Sequence, residues 1–97
     1  MTIPSVILLD ALKIFMFTQI DEKIKVAAVF EQGQKVKPVW FIWSGRKYQV
    51  KEITFNWKDR KGNSDLYFFS VTDGQAVYEI SYNDKDLVWT LEKVYVE

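Results

Sequence analysis

Ninety-seven residues, 48% of them hydrophobic and 27% charged, suit a single globular domain and exclude a disordered or fibrous chain. Thirteen basic residues balance thirteen acidic ones, so no net field points at a partner. With no Cys and no His, disulfides, thiolate or imidazole catalysis and the usual zinc ligand sets are excluded.

Met1 to Ser5 carry no basic n-region, so no secretory signal is expected. Asp10 and Lys13 break the apolar run from Val6 to Phe17, which falls short of the roughly 20 apolar residues of a membrane span. A cytoplasmic protein is the default expectation. Pro4-Ser5 ahead of that run suits a helix start. Leu, Ala, Met and Lys favour a helix, whereas Ile, Val and Phe favour a strand. The expectation is an N-terminal apolar helix within residues 1–20, with a buried strand as the alternative for residues 5–17.

From residue 23 the apolar period becomes two. Ile24, Val26, Ala28 and Phe30 alternate with Lys23, Lys25 and Glu31, which reads as a strand. Further strands follow at Val39–Trp43, Tyr48–Trp57, Leu66–Thr72, Gln75–Tyr82 and Leu87–Val96, each bounded by a polar or Gly-containing turn. In the third, apolar parity slips between Tyr48/Val50 and Ile53/Phe55/Trp57, which places a β-bulge near Lys51-Glu52.

Tight turns set directly opposed pairs on shared faces. A turn at Gly45-Arg46 opposes Trp43 to Tyr48, and one at Asp73-Gly74 opposes Phe69 to Tyr78. A loop at 83–86 opposes Ile80 to Trp89, and one at 32–35 opposes Val26 to Phe41 and Ala28 to Val39. The predicted fold is mainly β: a six-stranded antiparallel meander over residues 23–96, strongly curved or closed into a small barrel, with the N-terminal helix completing one domain. Trp43, Tyr48, Phe55, Phe69, Tyr78, Ile80, Trp89 and Leu91 should share one buried face. A second face carries Leu66, Phe68, Val77, Val88, Val94 and Val96 and needs a cover, either the N-terminal segment or a second copy of the chain.

The patterns Trp43-x-Gly45-Arg46-x-Tyr48-x-Val50 and Trp89-x-Leu91-x-x-Val94-Tyr95, with Trp57 between them, resemble a family of short uncharacterised bacterial domains. The resemblance covers about residues 37–95. It implies a link to DNA transactions, because similar domains are attached to relatives of Y-family DNA polymerases, and it assigns no catalytic residue.

Candidate chemistry is sparse. The four Gly stand singly at turns, so there is no phosphate loop, and no carboxylate group has calcium-loop spacing. No catalytic residue, metal or cofactor is expected. Charge is segregated: residues 23–61 hold ten basic and three acidic residues, a net of +7, whereas residues 62–97 hold two basic and seven acidic, a net of −5. Lys47, Lys51, Lys58, Arg60 and Lys61 could meet phosphates while Trp40 stacks a base, as single-stranded nucleic acid requires. Arg46 suits either an anion contact or a cation–π contact with a nearby ring. The favoured expectation is a non-enzymatic interaction module with a protein partner or a second copy. A nucleic-acid-binding module using residues 23–61 is the alternative, and no membrane partner is expected.

Overall fold

Alternating apolar and polar residues fold the chain into strands in a computed structural model, which describes residues 17–33 and 35–96. The strands are β1 (Phe17–Glu31), β2 (Lys35–Trp43), β3 (Arg46–Gln49), β4 (Glu52–Lys61), β5 (Ser64–Thr72), β6 (Ala76–Asn83) and β7 (Val88–Val96). They form one sheet in the order β3-β2-β1-β7-β6-β5-β4, and every neighbouring pair is antiparallel.

This corrects the sequence expectation in three respects. There are seven strands rather than six, no ladder closes the sheet into a barrel, and no helix occurs among the described residues. Residues 17–20, expected at the end of a helix, begin β1, where Phe17 pairs with Tyr95 and Thr18 with Val94. Pairing with the last strand outweighs local helix propensity there. The rest of the expected helix, residues 1–16, lies outside the described residues.

The seventh strand comes from a change of partner. The stretch expected as one bulged strand, Tyr48–Trp57, falls instead in two strands, β3 pairing with β2 and β4 with β5. The change falls at Val50-Lys51: the Val50 N–H donates to the Val39 carbonyl (2.9 Å) and the Lys51 N–H to the Thr72 carbonyl (2.8 Å). Seven flat strands at about 4.8 Å spacing would hold the edges about 29 Å apart. The two residues between Gln49 and Glu52 reach at most about 11 Å, so the sheet curls until β3 and β4 meet at this corner.

The inward face carries the core. Phe41, Val71, Ile80 and Leu91 are fully buried, packed with Phe69, Tyr78, Trp89 and Val94. Phe41 stacks on Tyr48 and meets Tyr78 edge-on, both at 5.2 Å between centroids. The Trp43 indole N–H donates to the Glu22 carboxylate at 2.9 Å, tying β2 to β1.

Several registers are displaced by two residues from the expected ones, which preserves faces. Phe41 opposes Tyr48, Phe69 opposes Ile80, and Ile80 opposes Leu91. The first turn lies at Ser44-Gly45, both at positive φ (51° and 75°), as a type I′ turn requires. Val26 does oppose Phe41, but a bulge at Ala27/Ala28 then sets Ala28 against Pro38 instead of Val39.

Two further bulges reverse faces. The register shift between Ile53 and Phe55 turns Phe55 outward, 65% exposed, instead of into the core. The shift at Glu79/Ile80 turns Val94 inward, away from the second face.

Candidate interaction surface

Strands β4 and β5 form an antiparallel arm that carries aromatic rings on both faces. Thr54 is the extra residue of the bulge, and its hydroxyl lies 3.1 Å from the Ser70 carbonyl and 3.2 Å from the Ser70 hydroxyl. Beyond it, Phe55 opposes Ser70 and Trp57 opposes Phe68 on the outward face. The Trp57 and Phe68 rings are parallel to within 3° at 5.0 Å, and Phe55 lies 5.6 Å from Trp57. Burying a Phe side chain is worth about 1.5–3 kcal/mol. An exposed Phe55 beside an exposed Trp57 leaves much of that gain unrealised among the described residues.

The other side of the arm borders an open groove of about 610 Å³. Lys35, Val36 and Lys37 of β2 form one wall and Ile53, Asn56, Trp57 and Lys58 of β4 the other, with Tyr67, Phe68 and Phe69 of β5 behind, so the groove shares Trp57 and Phe68 with the aromatic stack. The groove is the wedge that opens where β4 leaves β2 for β5. Among the described residues no strand pairs with the outer edge of β4. The Lys58 ammonium lies 5.6 Å from the Tyr67 ring centroid and 3.4 Å from Asp65, and Lys37 reaches Glu31 at 3.6 Å. Ion pairs this close to the surface contribute about 0–1 kcal/mol each.

The seven residues singled out in the sequence do not form one surface. Trp40 and Lys47 lie together on the outer face of the β1–β3 half, with the Lys47 ammonium 4.5 Å from the Trp40 ring centroid. Arg46 opposes Trp43 and reaches the Tyr48 ring at 5.7 Å, a cation–π contact. Lys51 lies over the turn before β6, its Nζ 3.1 Å from where a Cβ on Gly74 would stand. Lys58 and Arg60 both face Asp65, Arg60 at 3.7 Å, and Lys61 closes the arm opposite Ser64.

Titratable groups elsewhere serve the fold. Burial works against ionisation of Asp73. Hydrogen bonds from the Ala76 and Gln75 N–H groups and the Tyr78 hydroxyl outweigh it, so the carboxyl sits below its ordinary pKa. Burial, then the Asp73 contact, pushes the Tyr78 hydroxyl well up. Burial also raises Glu79, against the pull of Lys93 at 3.9 Å. Among the described residues no group of acidic side chains could hold a metal ion, and no helix is long and apolar enough to cross a membrane.

Residues 16–95 match the model of a domain of unknown function, DUF6504. The chain belongs to this family. No curated protein and no solved structure matches it. The match begins one residue before β1 and ends within β7, so the DUF6504 domain is the curled sheet itself, and it includes both the aromatic arm and the wedge.

The aromatic arm is the feature that alternation misplaced. Ile53, Phe55 and Trp57 share a parity and read as one inward face, while Thr54, Asn56 and Lys58 read as its solvated back. The bulge at Thr54 exchanges the two faces from Phe55 onward. The available sequence signal was Phe68, which falls on the second face and is the ring on which Trp57 stacks.

Proposed function

We propose that this domain is a non-enzymatic protein-binding module of the cytoplasm whose contact surface is the outer face of the β4–β5 arm. The observation that carries the reading is the contiguous stack of Phe55, Trp57 and Phe68 on a face where a solitary domain would place polar residues. Aromatic anchors, Trp above all, dominate protein interfaces because they bury a large area with little rotamer entropy. The resemblance to bacterial domains attached to polymerase relatives fits an adaptor that brings proteins together near DNA.

The test is capture from lysate with nuclease present, comparing the wild-type domain with the Phe55→Ser/Trp57→Ser variant. A partner that survives nuclease, is lost with this variant and is kept by Trp40→Ala supports the reading. Capture that depends on nucleic acid, or that ignores the double substitution, overturns it. A second copy of the chain is one form of protein partner, and sedimentation of the isolated domain identifies it.

The nucleic-acid reading keeps one specific observation in its favour. Trp40 and Lys47 share an outer face with Lys25, which opposes Ile42, and Lys37, which opposes Val29. Against it, Lys47 occupies one side of the indole, and Lys58 and Arg60 are paired with Asp65 on a different part of the molecule.

A further inference from the structure

We infer that the wedge between β2 and β4 takes an extended acidic peptide, which adds as a strand to the outer edge of β4. The inference rests on the protein-binding reading and names the chemistry of a second contact beside the aromatic arm.

Three observations support it. First, β3 covers only the Trp40–Trp43 half of β2, so the Lys35–Pro38 half and the outer edge of β4 face each other across the groove without a ladder. A strand added to β4 would lie about 4.8 Å from it, with its N–H and C=O groups paired to that edge. Pro38 has no N–H to give, whereas β4 contains no Pro and keeps a backbone donor at every residue for an incoming chain.

Second, the alternation of an added strand matches the lining. On β2, Val36 points inward against the core while Lys35 and Lys37 take the outward positions opposite Glu31 and Val29. Every second side chain of the peptide would therefore meet Val36, Ile53 and Phe69, and the intervening ones would meet two ammonium groups. Third, a cationic peptide would place like charges against Lys35, Lys37 and Lys58, which selects against it.

The probe is a fluorescein-labelled, end-blocked decapeptide of alternating Glu and Val, titrated with the whole domain and read by anisotropy at low salt. Saturable binding is expected. The Lys–Val counterpart should not bind. A Glu–Val peptide with two adjacent central residues replaced by Pro, which removes donors toward either edge, should bind at least about tenfold more weakly. Lys35→Glu/Lys37→Glu should weaken binding by at least about tenfold, while Lys85→Glu, in the exposed turn between β6 and β7, should leave it within about twofold, an effect small on the scale of 1.4 kcal/mol per decade.

No binding up to about 1 mM, equal binding of the Pro peptide, or indifference to the charge reversal each overturns the inference. So does full displacement by a thymidine decanucleotide, which would assign the wedge to a phosphate backbone. A domain that sediments as a dimer, is made monomeric by Lys35→Glu/Lys37→Glu and ignores the peptide would assign the wedge to a second copy, again overturning it. Because Lys35 and Lys37 lie outside the aromatic arm, the lysine variant alters only the wedge, and peptide binding and lysate capture are separate readouts, so either proposal can fail without the other.

Discussion

Phe41 and Phe55 are the same residue type, both placed by alternation on the core face, and the structure separates them completely. Phe41 is fully buried among Tyr48 and Tyr78, whereas Phe55 is 65% exposed. Phe→Ala in a core removes transfer free energy and leaves a cavity, at about 3–5 kcal/mol. At Phe55 about one third of the side chain is covered, so a third of the usual 1.5–3 kcal/mol, about 0.5–1 kcal/mol, is lost. A domain of this size has about 5–15 kcal/mol in all. Phe41→Ala should therefore remove a large share of the stability, and Phe55→Ala should move Tm by about 2–8 °C. Urea unfolding followed by Trp fluorescence measures both, with a stabilising salt such as sulfate added to each sample if Phe41→Ala is partly unfolded in buffer. Equal costs at the two positions, or a larger cost at Phe55, would show that Phe55 lies in the core and that the bulge at Thr54 is not there.

Three other outcomes are expected. Leu87 has φ +58° and a side chain 71% exposed, so it bears left-handed strain without compensating burial. Leu87→Asn should raise stability by several tenths to about 1 kcal/mol, and a lower Tm for that variant would contradict the strain argument. Asp73 has a folded pKa below its ordinary 3.8, so its contribution is fully present above 3.8 and is lost as pH falls through the folded value. Tm measured from pH 7 to pH 2.5 should thus show a steeper acid limb in the wild type than in Asp73→Asn, and parallel limbs would refute the assignment. If the outer face of β1–β3 binds single-stranded nucleic acid, a thymidine oligonucleotide at about 50 mM salt should quench Trp fluorescence with Kd in the non-specific range of about 10⁻⁴–10⁻⁶ M. Trp40→Ala should then weaken binding more than Lys47→Ala, and no quenching up to about 100 μM removes that reading.

What could be read from the sequence was face, and what could not was partner. Alternation and turn chemistry put Trp43, Tyr48, Phe69, Tyr78, Ile80, Trp89 and Leu91 on one side, and all seven are in or against the core. Two-residue errors in register did no harm, because a shift of two preserves the face. Single-residue insertions did harm. The bulges at Thr54 and at Glu92 each add one residue to a strand without changing its composition, and they misplaced Phe55 and Val94 in opposite directions. The pairing of β1 with β7 was also hidden, since no turn joins them and no local residue records that Phe17 will meet Tyr95. The candidate basic residues were legible as a charge excess, but linear order says nothing of whether Lys47 and Lys58 share a face, and they do not.

The partner change at Val50-Lys51 links these points to function. A strand that stayed with β2 would cover Lys35–Pro38 and leave β5 as the sheet edge, and no wedge would exist. Instead Lys51 bonds to Thr72, and the chain peels away from β2 at Val39, the bulged residue, next to Pro38, which has no N–H to hold a neighbour. The bulge at Thr54, just beyond this departure, then turns Phe55 and Trp57 outward beside Phe68 on the arm. An open edge beside exposed rings is a hazard in a solitary domain, because it invites pairing with other chains. Here the wedge wall carries Lys35 and Lys37, a charged flank of the kind that deters indiscriminate strand pairing while admitting an acidic one. The two-residue switch thus produces the open edge and its charged flank, and the Thr54 bulge adds the aromatic face to the arm that the switch creates. Returning the Val50-Lys51 segment to a continuous pairing with β2 should therefore abolish both contacts at once.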